Sequence, residues 1–292
     1  MQNLAEMKIE IADCSGFCFG VKRAIKMAQE ALEKNKAKGV YSLGHIIHNS
    51  QVVEELSRKG LKPIKELAGV EEGVVVISSH GAGPKIFKQI EAKGIGLVNA
   101  TCPYVMSAQK IVKSLSDEGY SVLILGDRHH PEVEALVGLA GKGAVVIKDE
   151  EELEGQKLPS SRIGVVSQTT QTSKRYFRLI SKILSRGFSE VRIFNTICSD
   201  TQKRQESAAR LAKDADLMII AGGRMSANTK RLFEICSEIC KNTYHIETAQ
   251  ELKGKWFEGK SKIGIASGAS TPDWIIKSIK KEILSIRGIY AR

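Results

Sequence analysis

Short runs of β-branched and aliphatic residues alternate along this chain with longer stretches in which apolar positions recur every three or four residues. VVVIS (74–78), SVLIL (121–125), IGVVS (163–167), LMIIA (217–221) and IGIAS (263–267) are continuous apolar runs of strand length, the pattern of strands buried on both faces. YVMSAQKIVKSL (104–115) and WIIKSIKKEIL (274–284) carry a helical period instead. Strands alternating with helices in this way predict an α/β protein with mostly parallel sheets.

A longer period overlies this one. GHIIHNSQVVEEL (44–56), GDRHHPEVEAL (126–136) and GGRMSANTKRL (222–232) each follow an apolar strand, begin with glycine, and place His48, His130 or Ser226 four residues later, ahead of a helix. A second set of corners closes the next major strand: SSHG carries His80, SQTT carries Thr169 and SGAS carries Ser270. Cys18 precedes its corner glycine by 26 residues, and Cys102 and Cys198 precede theirs by 24, each between a strand and a helix. This phase predicts three similar modules, over 14–101, 102–197 and 198–292, with one thiol apiece near a pseudo-threefold axis. The first two modules read as four strands each. The third has three of its own, so the segment 1–13, with its strand KIEIAD, is expected to complete it. Polar groups at the carboxyl ends of parallel strands, beside helix N-termini, are where open α/β sheets bind ligands, so the corners predict a central polar cavity. Helix capping explains each of these residues separately: Pro131 suits a first helical position, Glu132 a first turn and Ser226 an N-cap. Caps alone do not explain why histidines recur in phase with the cysteines.

Composition narrows the chemistry. The 292 residues are 42% hydrophobic and 5% aromatic, enough for a sizeable core in about two or three units. No stretch approaches the roughly 20 apolar residues of a membrane span, and no basic-then-apolar leader opens the chain, so a cytoplasmic protein without membrane contact is expected. Six cysteines are too few for a disulfide scaffold and point to metal, catalysis or burial. Cys236 and Cys240, spaced i, i+4 on an apolar stripe, read as core, and Cys14 is out of phase with the repeat. The net charge of +11 suits an anionic partner such as a phosphorylated metabolite or an acidic redox protein. The lysines lie on helix faces and in turns without interleaved aromatics, which argues against nucleic-acid binding. Three thiolates can bind zinc with a histidine, or hold an iron-sulfur cluster; the absence of a CxxC pair disfavours structural zinc. A cluster on three thiolates leaves one iron open to a substrate oxygen.

With these residues assembled, the chain resembles the LytB/IspH family over essentially its whole length. The resemblance rests on GFCFGVKRA around Cys18, HNSQVV at His48, SSHG at His80, NATCPYV at Cys102, HPEVE at His130 and Glu132, SQTT at Thr169, Cys198 with the following T-x-x-RQE run, SAN at 226–228 and SGASTPD at Ser270. It implies a trefoil of three α/β modules around one 4Fe-4S cluster held by Cys18, Cys102 and Cys198. It implies a diphosphate bound by His48, His80, His130, Ser226, Asn228 and Ser270, with Thr169 and Glu132 at the substrate's hydroxyl end. Ala227 stands where many relatives have a second serine, so there a backbone N–H must replace a hydroxyl. The implied reaction is the reductive dehydroxylation of 4-hydroxy-3-methylbut-2-enyl diphosphate to isopentenyl and dimethylallyl diphosphate, the last step of non-mevalonate isoprenoid synthesis. Glu132 is assigned proton delivery, with Thr169 as relay and His130 beside it.

The sequence contains no GxGxxG fingerprint after a strand, so electrons are expected from a separate protein such as a ferredoxin or flavodoxin. Two other readings fit the residues. One is a metal-dependent hydrolase of a phosphorylated small molecule, with Glu132 activating water; the other is a cluster-bearing regulator with a basic nucleic-acid surface.

Overall fold

A computed structural model describes residues 7–156, 158 and 160–290, the last four as helix backbone only. Residues 1–6 of the expected N-terminal segment and 291–292 of the expected third module lie outside the described residues. Among the described residues the strands form three four-stranded sheets in which every pair is parallel.

The chain groups into two compact units. The first comprises residues 7–18, 48–50 and 199–290. Its sheet has the order β11-β10-β12-β1, from β1 (Lys8–Ile11), β10 (Leu217–Ala221), β11 (Thr243–Ile246) and β12 (Lys262–Ser267). The N-terminal strand β1 pairs with β12, Lys8 opposite Lys262. Helices α7 (Ser199–Asp214), α8 (Ala227–Ile239) and α9 (Asp273–Tyr290) belong to this unit.

The second unit comprises residues 19–47 and 51–198 and holds two sheets. One has the order β3-β2-β4-β5, from β2 (Val40–Leu43), β3 (Leu61–Ile64), β4 (Val74–Ile77) and β5 (Gly96–Asn99). The other has the order β7-β6-β8-β9, from β6 (Ser121–Leu125), β7 (Ala144–Ile147), β8 (Arg162–Ser167) and β9 (Glu190–Ile193). Its helices include α1 (Phe19–Lys34), α2 (nearly all of Ser50–Arg58), α3 (Pro84–Lys93), α4 (Pro103–Asp117), α5 (Pro131–Ala140) and α6 (Ser173–Leu184).

The central strands explain themselves by burial: all five residues of SVLIL in β6 and of LMIIA in β10 are buried, as strands covered by helices on both faces must be. Pro63 is confined to β3, an edge strand where a missing N–H costs no ladder bond. Gly164 in β8 and Gly264 in β12 stand three residues before the strand ends, at the same register. A Cβ on Gly164 would lie 2.6 Å from Leu115 of α4, and one on Gly264 3.0 Å from Leu211 of α7. Glycine at this register lets the helix that follows a candidate thiol settle close on its sheet. Helices α3, α4 and α5 each begin with proline, and α8 is capped by Ser226, whose Oγ accepts the Thr229 N–H at 3.3 Å. Among the described residues no helix is long and apolar enough to cross a membrane.

Candidate active site

Each of Cys18, Cys102 and Cys198 is the residue immediately before a helix: α1, α4 and α7 respectively. Each donates its backbone N–H to the second residue beyond the end of a central strand. Cys18 bonds Ala269 O at 3.0 Å, Cys102 bonds Ser79 O at 3.0 Å and Cys198 bonds Thr169 O at 2.9 Å. One hydrogen bond repeated three times ties the backbone of each cysteine to the end of β12, β4 or β8, a central strand of a neighbouring module's sheet rather than of its own, at a helix N-terminus that favours a negative ligand atom. All three cysteines are half-buried and form no disulfide, whereas Cys236 and Cys240 are buried in the apolar core of the first unit. Burial pushes the Cys236 thiol up to about 12, so it stays protonated and inert.

The corner glycines Gly44, Gly126 and Gly222 each follow a strand, and their N–H groups donate to Ile64 O, Ile147 O and Ile246 O at 2.7, 2.8 and 2.9 Å. In the second unit the corner after β6 ends in His130, the N-cap of α5, whose Nδ1 accepts the Glu132 N–H at 3.2 Å. The neutral ring therefore carries its proton on Nε2. The His80 ring meets it edge to face, with centroids 5.3 Å apart, so this unit brings together histidines from two of the sequence repeats. In the first unit the backbone carbonyl of His48 accepts Ser270 Oγ–H at 3.0 Å. Gly223 packs against the same carbonyl, where a Cβ would lie 2.4 Å away. Asn228 accepts the Ala269 N–H at 3.2 Å, tying the SAN corner to the SGAS corner. Ala227 opens α8 next to Ser226, leaving a backbone N–H of the first turn in place of a hydroxyl.

Glu132 is 2% exposed. Its Oε1 accepts the Thr169 N–H at 2.7 Å and its Oε2 accepts the Thr169 hydroxyl at 2.9 Å. Burial pushes the carboxyl up to about 7, against the pull of both Thr169 bonds. An acid serving only the helix dipole would sit in solvent; this one is desolvated and poised to hold or release a proton at neutral pH.

The structure corrects the phase assigned to Thr169. Gly81 N–H bonds Ser78 O at 3.1 Å, Gln171 N–H bonds Gln168 O at 3.0 Å and Thr271 N–H bonds Gly268 O at 3.1 Å, so Ser78, Gln168 and Gly268 correspond. Half-buried Thr170, not Thr169, therefore occupies the position of His80 and Ser270 in the repeat. The strand ends Ile77, Ser167 and Ser267 agree with this register, which adjacent hydroxyl residues hide in the sequence.

The family profile described as LytB protein matches residues 9–284. The chain belongs to the LytB family. Relatives named 4-hydroxy-3-methylbut-2-enyl diphosphate reductase include one from Geotalea uraniireducens, 45% identical over 281 residues that cover 96% of this chain and 98% of that one. Another, from Aquifex aeolicus, is 44% identical over 282 residues, covering 95% and 96%. A solved structure described as (E)-4-hydroxy-3-methyl-but-2-enyl diphosphate reductase, the terminal enzyme of the non-mevalonate pathway, is 43% identical and covers 96% of this chain and 99% of its own, with a TM-score of 0.69. The Plasmodium falciparum E-1-hydroxy-2-methyl-but-2-enyl-4-diphosphate reductase, 24% identical, shares the fold, with a TM-score of 0.89 over 94% of this chain and 87% of that one. These LytB relatives give no support to the hydrolase reading.

The LytB family binds a 4Fe-4S cluster, and the donor set of this chain fits such a group. Three thiols outside any disulfide stand in equivalent helix-start positions, each on a backbone already tied down. Three soft ligands without a fourth cysteine in phase suit a cluster with one iron open to exchange.

Proposed function

We propose that this chain reduces 4-hydroxy-3-methylbut-2-enyl diphosphate to isopentenyl and dimethylallyl diphosphate, with Cys18, Cys102 and Cys198 holding a 4Fe-4S cluster. The observation that carries the reading is the buried Glu132 carboxyl, doubly bonded to Thr169 and held near neutrality, in a chain matched over 96% of its length by a relative named as the reductase. When bound, the cluster supplies Lewis acidity and the path for two electrons.

The chain's own residues do the rest. His48, His80, His130, Ser226 and Asn228 donate to the diphosphate, as does Ser270 once its hydroxyl turns from the His48 carbonyl, with the Ala227 N–H standing in for a hydroxyl. Backbone N–H groups at the starts of α5 and α8 add positive potential suited to that anion. Thr169 orients the substrate hydroxyl, and Glu132 protonates it as it leaves. The allylic C–O bond breaks, two electrons and two protons are consumed, and the oxygen departs as water. The second proton goes to one end of the allylic system, which gives the two products. The electrons arrive from a separate acidic donor protein such as a ferredoxin or flavodoxin, for which a chain of net charge +11 is suited.

The test is anaerobic turnover with a chemical reductant and the purified substrate. Formation of both isoprenoid diphosphates, on protein with iron and sulfide in near-equal amounts, supports the reading. Release of inorganic phosphate or diphosphate without reduction overturns it.

A further inference from the structure

Two arginines outside the machinery just described make the same kind of bond. Arg23 lies in the second turn of α1, the helix that starts after Cys18; its Nη1 donates to Thr101 O at 3.0 Å, one residue before Cys102. Arg204 lies in the second turn of α7, the helix that starts after Cys198; its Nη1 donates to Cys14 O at 3.1 Å, in the loop that leads to Cys18. In both cases a helix that begins at one candidate thiol grips the backbone leading to another. We propose that Arg23 and Arg204 are positioning residues, clamps that hold the Cys102 and Cys18 loops in ligand geometry before and after the cluster is loaded. The inference rests on the cluster reading above.

The physical case is strongest for Arg204. Its side chain is 4% exposed and its Nε donates to Asp200 at 2.6 Å, so the guanidinium is buried, paired and aimed. A charge-assisted bond to a carbonyl is stronger than a neutral one, and burial strengthens it further. The loop it grips is anchored along its length: Ala12 N–H bonds Ile265 O at 2.8 Å, Gly16 N–H bonds Ser267 Oγ at 2.9 Å and Cys18 N–H bonds Ala269 O at 3.0 Å. Arg204 adds the anchor at Cys14. Its charge is neutralised by Asp200, so its effect is geometric. Arg23 is half-buried and has no carboxylate partner among the described residues, so it brings uncompensated positive charge to within a residue of Cys102 as well as a hydrogen bond. Among the described residues the third thiol, Cys198, has no such clamp. At the corresponding turn of α4 stand Ser107 and Ala108, and the Cys198 approach is secured instead by Thr196. Its Oγ1 donates to Ser167 O at 2.6 Å and accepts the Ser167 N–H at 2.8 Å.

The experiment compares Arg23→Gln, Arg23→Lys, Arg204→Gln and Arg204→Lys with wild type and with a surface control, Arg178→Gln. All are loaded anaerobically with iron and sulfide. The readouts are iron release to a chelator, the cluster midpoint potential, and the unfolding midpoint of the metal-free protein. Both Gln variants should release iron about tenfold faster or more, the usual scale for losing a group that orients a ligand, at a rate their unfolding midpoints do not account for. Arg23→Gln should also lower the midpoint potential, because a cation near the cluster favours the added electron, and Arg23→Lys should restore the potential without restoring retention. Arg204→Gln should leave the potential near wild type. Unchanged iron release in both Gln variants overturns the inference, as does release that merely tracks lost fold stability. Should Arg204→Gln fail to fold, the half-buried Arg23 variants decide the matter. Retention of iron by Cys18→Ser or Cys102→Ser would instead sink the cluster assignment itself, which separates the two failures.

Discussion

At the scale of single residues, Glu132 and the three phased cysteines make the sharpest claims. Glutamine at 132 keeps the size of the side chain and can still accept the Thr169 N–H, but it carries no acidic proton. Glu132→Gln should therefore bind substrate normally and lose roughly 10² to 10⁴ in turnover, the range for removal of a general acid. Single-turnover reduction with the cluster chemically pre-reduced isolates this step from electron delivery, and a wild-type rate there would rule out the proton role. The cysteines divide by phase. Serine at 18, 102 or 198 should abolish the cluster and activity, as read by iron and sulfide content. Serine at 236 should cost roughly 1–3 kcal/mol of stability through its buried site and leave the cluster in place. Cys14 contributes its backbone carbonyl to Arg204, which a serine retains, so that variant should keep its iron.

Among the elements, α4 and α7, two of the helices that follow the thiols, lie where they do because β8 and β12 beneath them lack a side chain at one register. Gly164→Ala would drive a methyl to 2.6 Å from the buried Leu115, and the helix α4, which starts at Cys102, would have to give way. Overpacking of this kind costs roughly 1–3 kcal/mol, measurable by denaturant unfolding of the metal-free protein. Because α4 carries Cys102 at its N-cap, the same variant should also load iron less completely. A variant with full iron and unchanged stability would mean that the helix tolerates the shift. The repeated N–H bonds of the three cysteines were legible in the sequence only as a spacing. The equivalence of Thr170 with His80 was not legible, because hydroxyl residues at adjacent positions satisfy the same motif and only the hydrogen-bond register separates them.

Over the whole molecule, two glutamates give the pH dependence of stability opposite signs. Glu132 has a folded value of about 7 against 4.5 for the ordinary group, so the folded chain keeps a proton that the unfolded chain has lost. Its contribution is complete below about 4.5 and is lost as the pH rises through about 7, by a few kcal/mol at most at about 1.4 per unit. Glu190 is the reverse. The Tyr120 hydroxyl and the Arg162 and Arg192 side chains bond its carboxylate and hold it down to about 2. That contribution is complete above about 4.5 and is lost as the pH falls through about 2. Thermal melts of the metal-free protein from acid to mildly alkaline pH should show Glu132→Gln sparing the decline on the alkaline side and Glu190→Gln reducing the decline on the acid side. Curves parallel to wild type in either variant would contradict the corresponding shift.

The periods of this sequence by themselves determined the α/β class, the threefold repeat, the position of a thiol before one helix of each repeat and the glycine corners, because strand length, helix period, caps and turn residues are local properties. Strand counting also asked for one more strand in the third sheet. Tertiary structure alone decided that β1 takes β12 as its neighbour, with the two strands some 250 residues apart in the chain. It alone decided that Thr169 lies over Glu132 from 37 positions away, and that Arg204 reaches Cys14 across 190. Desolvation and charge-assisted hydrogen bonds depend on which distant groups share a dry interior. No local pattern records that, so the acidity of Glu132 and the grip of the arginines exist only in the folded chain.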